Sequence, residues 1–129
     1  MKISFLLTGK TESLSLIKEM EIYEERIRRY SAYSRIEIPE LKKVASLSKE
    51  EIKQREGEII LKHIKQQDQV VLLDVAARCQ TSEEFATFIE KRGVYGARNL
   101  VFVVGGAYGF SEEVYARADF KLSLSPMTF

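Results

Sequence analysis

Leu100-Val101-Phe102-Val103-Val104-Gly105-Gly106-Ala107-Tyr108-Gly109-Phe110-Ser111-Glu112-Glu113 is the stretch on which the fold turns. An apolar run rich in β-branched residues stops abruptly at Gly-Gly-x-x-Gly, and a serine followed by two glutamates then opens a helical segment. An apolar run without alternation suits a strand buried on both faces, as in a parallel sheet. Glycine permits positive φ and lets backbone approach another group closely. Ser111 has the chemistry of an N-cap, and Glu112 and Glu113 put negative charge in the first turn. Strand, glycine turn and helix together predict the carboxyl edge of an α/β sheet, where ligands bind. A tight turn with no ligand is the other reading of the same residues.

Working outward, the same alternation recurs. Lys2 to Thr8 reads as a first strand bounded by Gly9, with Thr11 or Ser13 capping a helix whose apolar stripe is Leu14, Ile17, Ile22 and Ile27, widened by Met20 and Tyr23. Ser34 to Ile38 alternates and ends at Pro39, as a half-exposed strand does. Glu40 to Ser48 reads as a loop. Ser48 and Glu51 have capping-box spacing ahead of a charged helix reaching Lys65, its first half exposed. Gln69 to Val75 is the third strand. Thr81 starts a helix presenting Phe85, Phe88 and Ile89 and ending at Gly93 after Lys91 and Arg92. Beyond the central stretch, a helix from Ser111 to about Arg117 leads into a last strand, Phe120 to Leu124. The order β-α-β-(α)-β-α-β-α-β predicts one α/β domain: a mostly parallel five-stranded sheet with helices on both faces.

Bulk properties agree. The 129 residues fit a single domain with its own core. The formal net charge of +1 announces no global basic field. One cysteine, Cys79, excludes an internal disulfide and fits a reducing compartment. No signal peptide or membrane span is visible, so a cytoplasmic location is expected. With one histidine and one cysteine, neither a Ser-His-Asp nor a Cys-His pairing can be assembled, and no metal site is expected; His63 reads as a surface residue.

Two groups of polar residues invite a functional reading. Arg26, Arg28, Arg29 and Arg35 gather with Tyr23, Tyr30 and Tyr33 at the end of the first helix. Such a mixture can grip phosphates and stack bases; it can equally offset a helix dipole and cover a core. Asp74 sits at the end of the third strand, where it can serve chemistry or satisfy loop amides.

Over essentially its whole length the sequence resembles the RlmH (YbeA-type) family of the SPOUT class, which methylates N3 of a pseudouridine in large-subunit ribosomal RNA. The resemblance is carried by Thr8-Gly9-Lys10, Tyr23 with Arg26 and Arg29, Ile36-Glu37-Ile38-Pro39, Lys53 to Gly57, and Leu72-Leu73-Asp74. Its most specific parts are Val103-Val104-Gly105-Gly106-x-x-Gly109 and Leu122-Ser123-Leu124-Ser125-x-Met127-Thr128-Phe129, at their mutual spacing.

The resemblance implies an S-adenosyl-L-methionine site made by Leu73, by Gly105, and by Leu124, Ser125, Pro126, Met127, Thr128 and Phe129. Leu73, Leu124, Met127 and Phe129 would enclose the adenine and the methionine chain, and backbone approach would account for Gly105 and Gly106. It also implies large-subunit ribosomal RNA within the ribosome as partner, a homodimer, and neither a metal nor a membrane. No residue of the sequence is singled out as the general base. Family members continue into a further helix and a basic tail that close a trefoil knot, an exception to the usual rule against knots. The chain ends at Phe129 inside the motif that opens the knot. The expectation is therefore a single SPOUT-like methyltransferase domain over residues 1–129 with an incomplete knot and weakened association. A non-catalytic α/β interaction module, or an inactive fragment of such an enzyme, is the alternative.

Overall fold

The computed structural model describes residues 1–9, 14–39, 41–42, 44–106 and 108–123. Its elements are β1 (Lys2–Thr8), α1 (Leu14–Arg28), β2 (Ala32–Ile38), α2 (Lys49–Lys62), β3 (Gln69–Leu73), α3 (Ser82–Val94), β4 (Asn99–Val104), α4 (Glu112–Arg117) and β5 (Phe120–Leu122), with a 3-10 turn at Val44–Ser46. The five strands pair in the order β2-β1-β4-β3-β5, and every pairing is parallel.

The central strand is β4. Leu100, Val101, Phe102 and Val103 are all buried, so the unalternating run follows from burial on both faces. One face carries Leu6, Ile60, Val70, Leu72, Val101, Val103, Phe110 and Val114, which places α2 and α4 against it. The other carries Val71, Leu100, Phe102 and Leu122 beneath Phe85, Phe88 and Ile89 of α3. Parallel strands need crossovers, and the helices supply them on both sides of the sheet.

Local chemistry sets the helix starts. Ser48 and Glu51 complete a capping box ahead of α2, and Thr81 with Glu84 completes another ahead of α3. The Thr81 backbone and side-chain hydrogen bonds hold the Glu84 carboxyl below its ordinary value. The end of α3 differs from the sequence reading. Gly93 lies inside the helix, which runs on to Val94. Gly96 takes φ 86° instead. The amide of Gly96 donates to Gly93 O, and that of Ala97 to Arg92 O at 2.9 Å, a Schellman closure that only the later glycine can make.

Helix α1 also departs from its expected stripe. Leu14 is 76% exposed, and Ile22 and Tyr23 are exposed as well. The inward line is Ile17, Met20, Glu24 and Ile27, which keeps helical spacing but admits a buried glutamate. Glu24 is tolerated because Arg35 Nε on β2 stands 3.3 Å from its carboxylate and Tyr33 shares a hydrogen bond with it. Burial first, then Glu24, raises the Tyr33 phenol well above its usual range. The last strand ends at Leu122, shorter than expected.

At the amino edge of the sheet, Ser4 Oγ donates to Asn99 Oδ1 at 3.0 Å, Asn99 Nδ2 donates to Asp68, and Asp68 accepts from the Lys65 amide. Arg117 then donates to the Lys65 and Asp68 carbonyls. Among the described residues no helix is long and apolar enough to cross a membrane.

Glu24→Ala leaves Arg35 without its buried partner. A loss of stability on the order of 3 kcal/mol is expected in urea denaturation, and a loss under ~0.5 kcal/mol, the range of ordinary surface changes, would show the pair to be dispensable.

Candidate functional site

The all-parallel sheet puts the carboxyl ends of β4, β3 and β5 side by side. Leu73 is in register with Val104 on one side and with Leu122 on the other. The residues that follow these three strands, Gly105, Asp74 and Ser123, therefore share one edge. Of the residues expected to form a binding site, Leu73 and Gly105 are brought together here. Leu124, Ser125, Pro126, Met127, Thr128 and Phe129 lie outside the described residues.

The loop after β3 is tied to the end of β5. The Asp74 amide donates to Leu122 O at 2.9 Å, and the Ser123 amide donates to Arg78 O at 3.0 Å. The Asp74 carboxylate accepts from the Ala76 amide at 3.0 Å and from the Tyr115 hydroxyl at 2.6 Å. Asp74 thus serves the loop, as one of its two readings held, and also anchors α4. Tyr115 completes the group: its ring meets Phe110 edge to face at 5.8 Å, and the Lys121 ammonium lies 5.4 Å from its centroid. Burial and then the Asp74 carboxylate push the Tyr115 phenol up to about 12. Nothing in the spacing of Asp74 and Tyr115 announces this contact; it exists only once α4 lies on the sheet.

The glycines divide between the two uses that the residue allows. Only Gly109 needs positive φ, at 85°. At Gly105 a Cβ would stand 2.8 Å from the Phe110 ring. At Gly106 it would overlap the carboxylate of Glu56, with Oε1 at 2.7 Å. The protein's own side chains fill the space that both glycines leave, and the glycines contribute peptide groups to the edge. Helix α2 reaches this segment because Gly57 has no side chain either: a Cβ there would overlap Ser111 Oγ and meet Val114 Cγ2 at 3.2 Å. Ser111 caps α4, accepting from the Val114 amide. Glu56 was named by the sequence only as part of Lys53 to Gly57, with no role.

The basic and aromatic group lies elsewhere. Ser31 Oγ donates to Met1 O and Ala32 pairs with Lys2, so the end of α1 stands at the amino edge, opposite Gly105. Arg35 is taken up by Glu24 and Glu37. Arg26 lies 5.4 Å from the Tyr23 ring and Arg28 5.3 Å from that of Tyr33. Tyr30 is 90% exposed. His63 is an exposed helix cap whose Nδ1 lies 2.9 Å from Ile59 O. No group of His, Cys, Asp and Glu among the described residues is arranged to hold a metal.

With this geometry in hand, comparison with known proteins is specific. The family model described as "Predicted SPOUT methyltransferase" matches residues 1–129. A ribosomal RNA large subunit methyltransferase H from Christiangramia forsetii is 45% identical over 129 residues, covering 100% of this chain and 82% of the relative. Proteins of the same name from Parabacteroides distasonis and Bacteroides fragilis are 43% and 41% identical with the same coverage.

Gly105→Val drives two methyl groups into Phe110, and overpacking of this kind costs about 1–3 kcal/mol. The expected result is a lowered melting temperature; an unchanged one would leave the Phe110 contact without weight. The Tyr115 phenol gives a second test. Its folded value is raised, so the stability it adds is complete below pH 10 and is lost as pH rises toward about 12. Tyr115→Phe should flatten the fall in stability over that window, and an identical pH profile would contradict the assignment.

Proposed function

Because this chain belongs to the SPOUT methyltransferase family, we propose that it transfers a methyl group from S-adenosylmethionine to N3 of a pseudouridine in large-subunit ribosomal RNA. The observation that supports this reading best is the shared edge after β4, β3 and β5. It gathers Leu73 and Gly105 and delivers the chain, at Ser123, into the segment the family resemblance assigns to the cofactor.

The residues present fit such a molecule. Gly105 and Gly106 give their side-chain space to Phe110 and Glu56, so they offer backbone donors and acceptors. Half-buried Leu73 belongs to an apolar cluster with Phe102 and Leu122. Backbone polar groups beside an apolar wall suit a nucleoside carrying an amino-acid chain. When bound, the sulfonium of S-adenosylmethionine supplies an activated methyl group. The chain's own task is alignment: nitrogen, methyl and sulfur must be held in line, and misplacement is costly. Leu73, Gly105, Leu124, Ser125, Pro126, Met127, Thr128 and Phe129 form the cofactor set in this reading, within one methyltransferase domain over residues 1–129.

Contact with RNA falls to the basic end of α1. Arg26 and Arg29 are exposed there, and neither enters an ion pair among the described residues. The same helix exposes Leu14, Leu16, Ile22 and Tyr23. Apolar exposure on one helix is the mark of an association surface, and it supports a homodimer. The place of work is the cytoplasm, where ribosomes are modified.

Calorimetric titration of S-adenosylmethionine into the folded chain tests the reading directly. Saturable binding is expected, and its absence in folded protein would overturn it. Arg26→Ala with Arg29→Ala should weaken binding to ribosomal RNA and reduce the slope of log affinity against log salt by about 1–2. An unchanged slope would return both arginines to a helix-end role.

A further inference from the structure

Three segments of the chain meet at the amino edge of the sheet. Lys2 of β1 pairs with Ala32 of β2 on one side and with Asn99 of β4 on the other, so Ser31, Met1 and Arg98 stand in a row where the three strands begin. Hydrogen bonds tie the row together: Ser31 Oγ donates to Met1 O at 2.7 Å, and the Lys2 amide donates to Arg98 O at 2.8 Å. Helices α1 and α3 both end here, on one face of the sheet. Tyr33, which bonds Glu24 of α1, meets Phe5 at 6.2 Å; Phe5 stacks on Phe102, and Phe85 of α3 meets Phe102 at 5.8 Å. The end of α3 reaches the row at Gly93, where a Cβ would stand 3.9 Å from Met1 Cε.

Every charged side chain in segments 1–2, 26–31 and 91–98 is a lysine or an arginine, in a chain whose formal net charge is only +1. Two helix carboxyl ends together carry about one unit of negative charge, which accounts for fewer cations than stand here. Lys2, Arg29 and Arg98 are exposed, and none of them enters an ion pair among the described residues. An exposed tyrosine flanks the row at each end. Tyr30, after α1, is 90% exposed, and Tyr95, after α3, is 72% exposed. The Arg92 guanidinium lies 5.6 Å from the Tyr95 ring.

From this juxtaposition we propose that the amino edge is a binding surface for single-stranded RNA, with Lys2 and Arg98 on its phosphates and Tyr30 and Tyr95 stacked on its bases. The inference rests on the proposed ribosomal-RNA reading for the polymer, and it carries the contact beyond Arg26 and Arg29, across the strand starts to the end of α3. Cations answer phosphates of any nucleic acid. Exposed rings answer bases that are unpaired and free to stack on them, which a duplex does not offer. An acidic protein would use the cations and leave both rings without a role. The six residues of β4 put about 20 Å between this edge and Gly105. RNA held here is therefore a different stretch from the one that carries the methyl acceptor, and the surface acts on affinity for RNA, not on the methyl donor.

The test is fluorescence anisotropy on the 129-residue chain with a labelled oligouridylate of about 20 nucleotides, longer than the span of typical single-strand sites, over a series of salt concentrations. Lys2→Ala with Arg98→Ala is expected to weaken binding and to reduce the slope of log affinity against log salt by about 1.4, two phosphate contacts on a single strand. Tyr30→Ala with Tyr95→Ala is expected to weaken binding about fivefold or more per ring with the slope unchanged, and the two Phe replacements should restore it. Where Tyr95→Ala does not fold, because Arg92 loses a ring, Tyr30→Ala alone decides. A slope untouched by loss of Lys2 and Arg98, or no binding of the oligouridylate by the wild-type chain, overturns the inference. RNA affinity indifferent to both tyrosines, with polyglutamate bound as tightly as the oligonucleotide, marks a surface for an acidic protein and also overturns it. Binding of S-adenosylmethionine, titrated in parallel, should be the same in every variant. Its absence in the folded wild-type chain would overturn the methyl-transfer reading, whereas its presence beside an unchanged salt slope would overturn this inference alone.

Discussion

Strand β4 is hydrogen-bonded to β1 on one side and to β3 on the other, and it is covered by helices on both faces. From Leu100 to Val103 such a strand has no room for a polar side chain and no free backbone until it ends. Its end is consequently the first place where the chain can offer peptide groups to another molecule, and the glycines fall there. Because all five strands are parallel, the ends of β3 and β5 arrive at the same edge. Had one of these strands run the other way, its carboxyl end would lie at the far edge, away from Gly105. The burial of β4 thus fixes both the core and the location of the edge.

The edge is built by close approach. Phe110, Glu56 and Ser111 each occupy volume that a Cβ on Gly105, Gly106 or Gly57 would claim. Three side chains and three glycines interlock, so α2, α4 and the end of β4 behave as one unit. Asp74 and Tyr115 extend that unit to β3 by a 2.6 Å hydrogen bond. An edge assembled in this way is stiff, and such stiffness lowers the ordering cost of any binding there.

The amino edge is organised by different means. Ser4, Asn99, Asp68 and Arg117 form a polar seam there, and the basic end of α1 stands beside it. The two edges therefore differ in chemistry: backbone and apolar surface at one, cationic and aromatic surface at the other. The exposed apolar residues of α1 link the two, because α1 runs the height of the sheet.

The amino-acid sequence by itself determined the order of elements, the parallel sheet and the central strand. Those depend on periodicity and capping chemistry, which act between near neighbours in the chain: Ser48 with Glu51, Thr81 with Glu84, and the apolar run at 100–104. Family resemblance added Leu73 and Gly105 as site residues, and the strand pairing brings both to one edge. Local pattern failed where two choices were nearly equal, as at Gly93 and Gly96, and where a distant partner changed a residue's preference, as Arg35 does for Glu24. What only the tertiary structure decided are the contacts made on docking: Glu56 with Gly106 and Tyr115 with Asp74, far apart in sequence, and the fold-back of Phe110 onto Gly105 within the turn. No local signal marks them, because they form only once α2 and α4 dock on the same face of the sheet beside the end of β4. The reason a glycine is a glycine there lies in the side chain that fills its place.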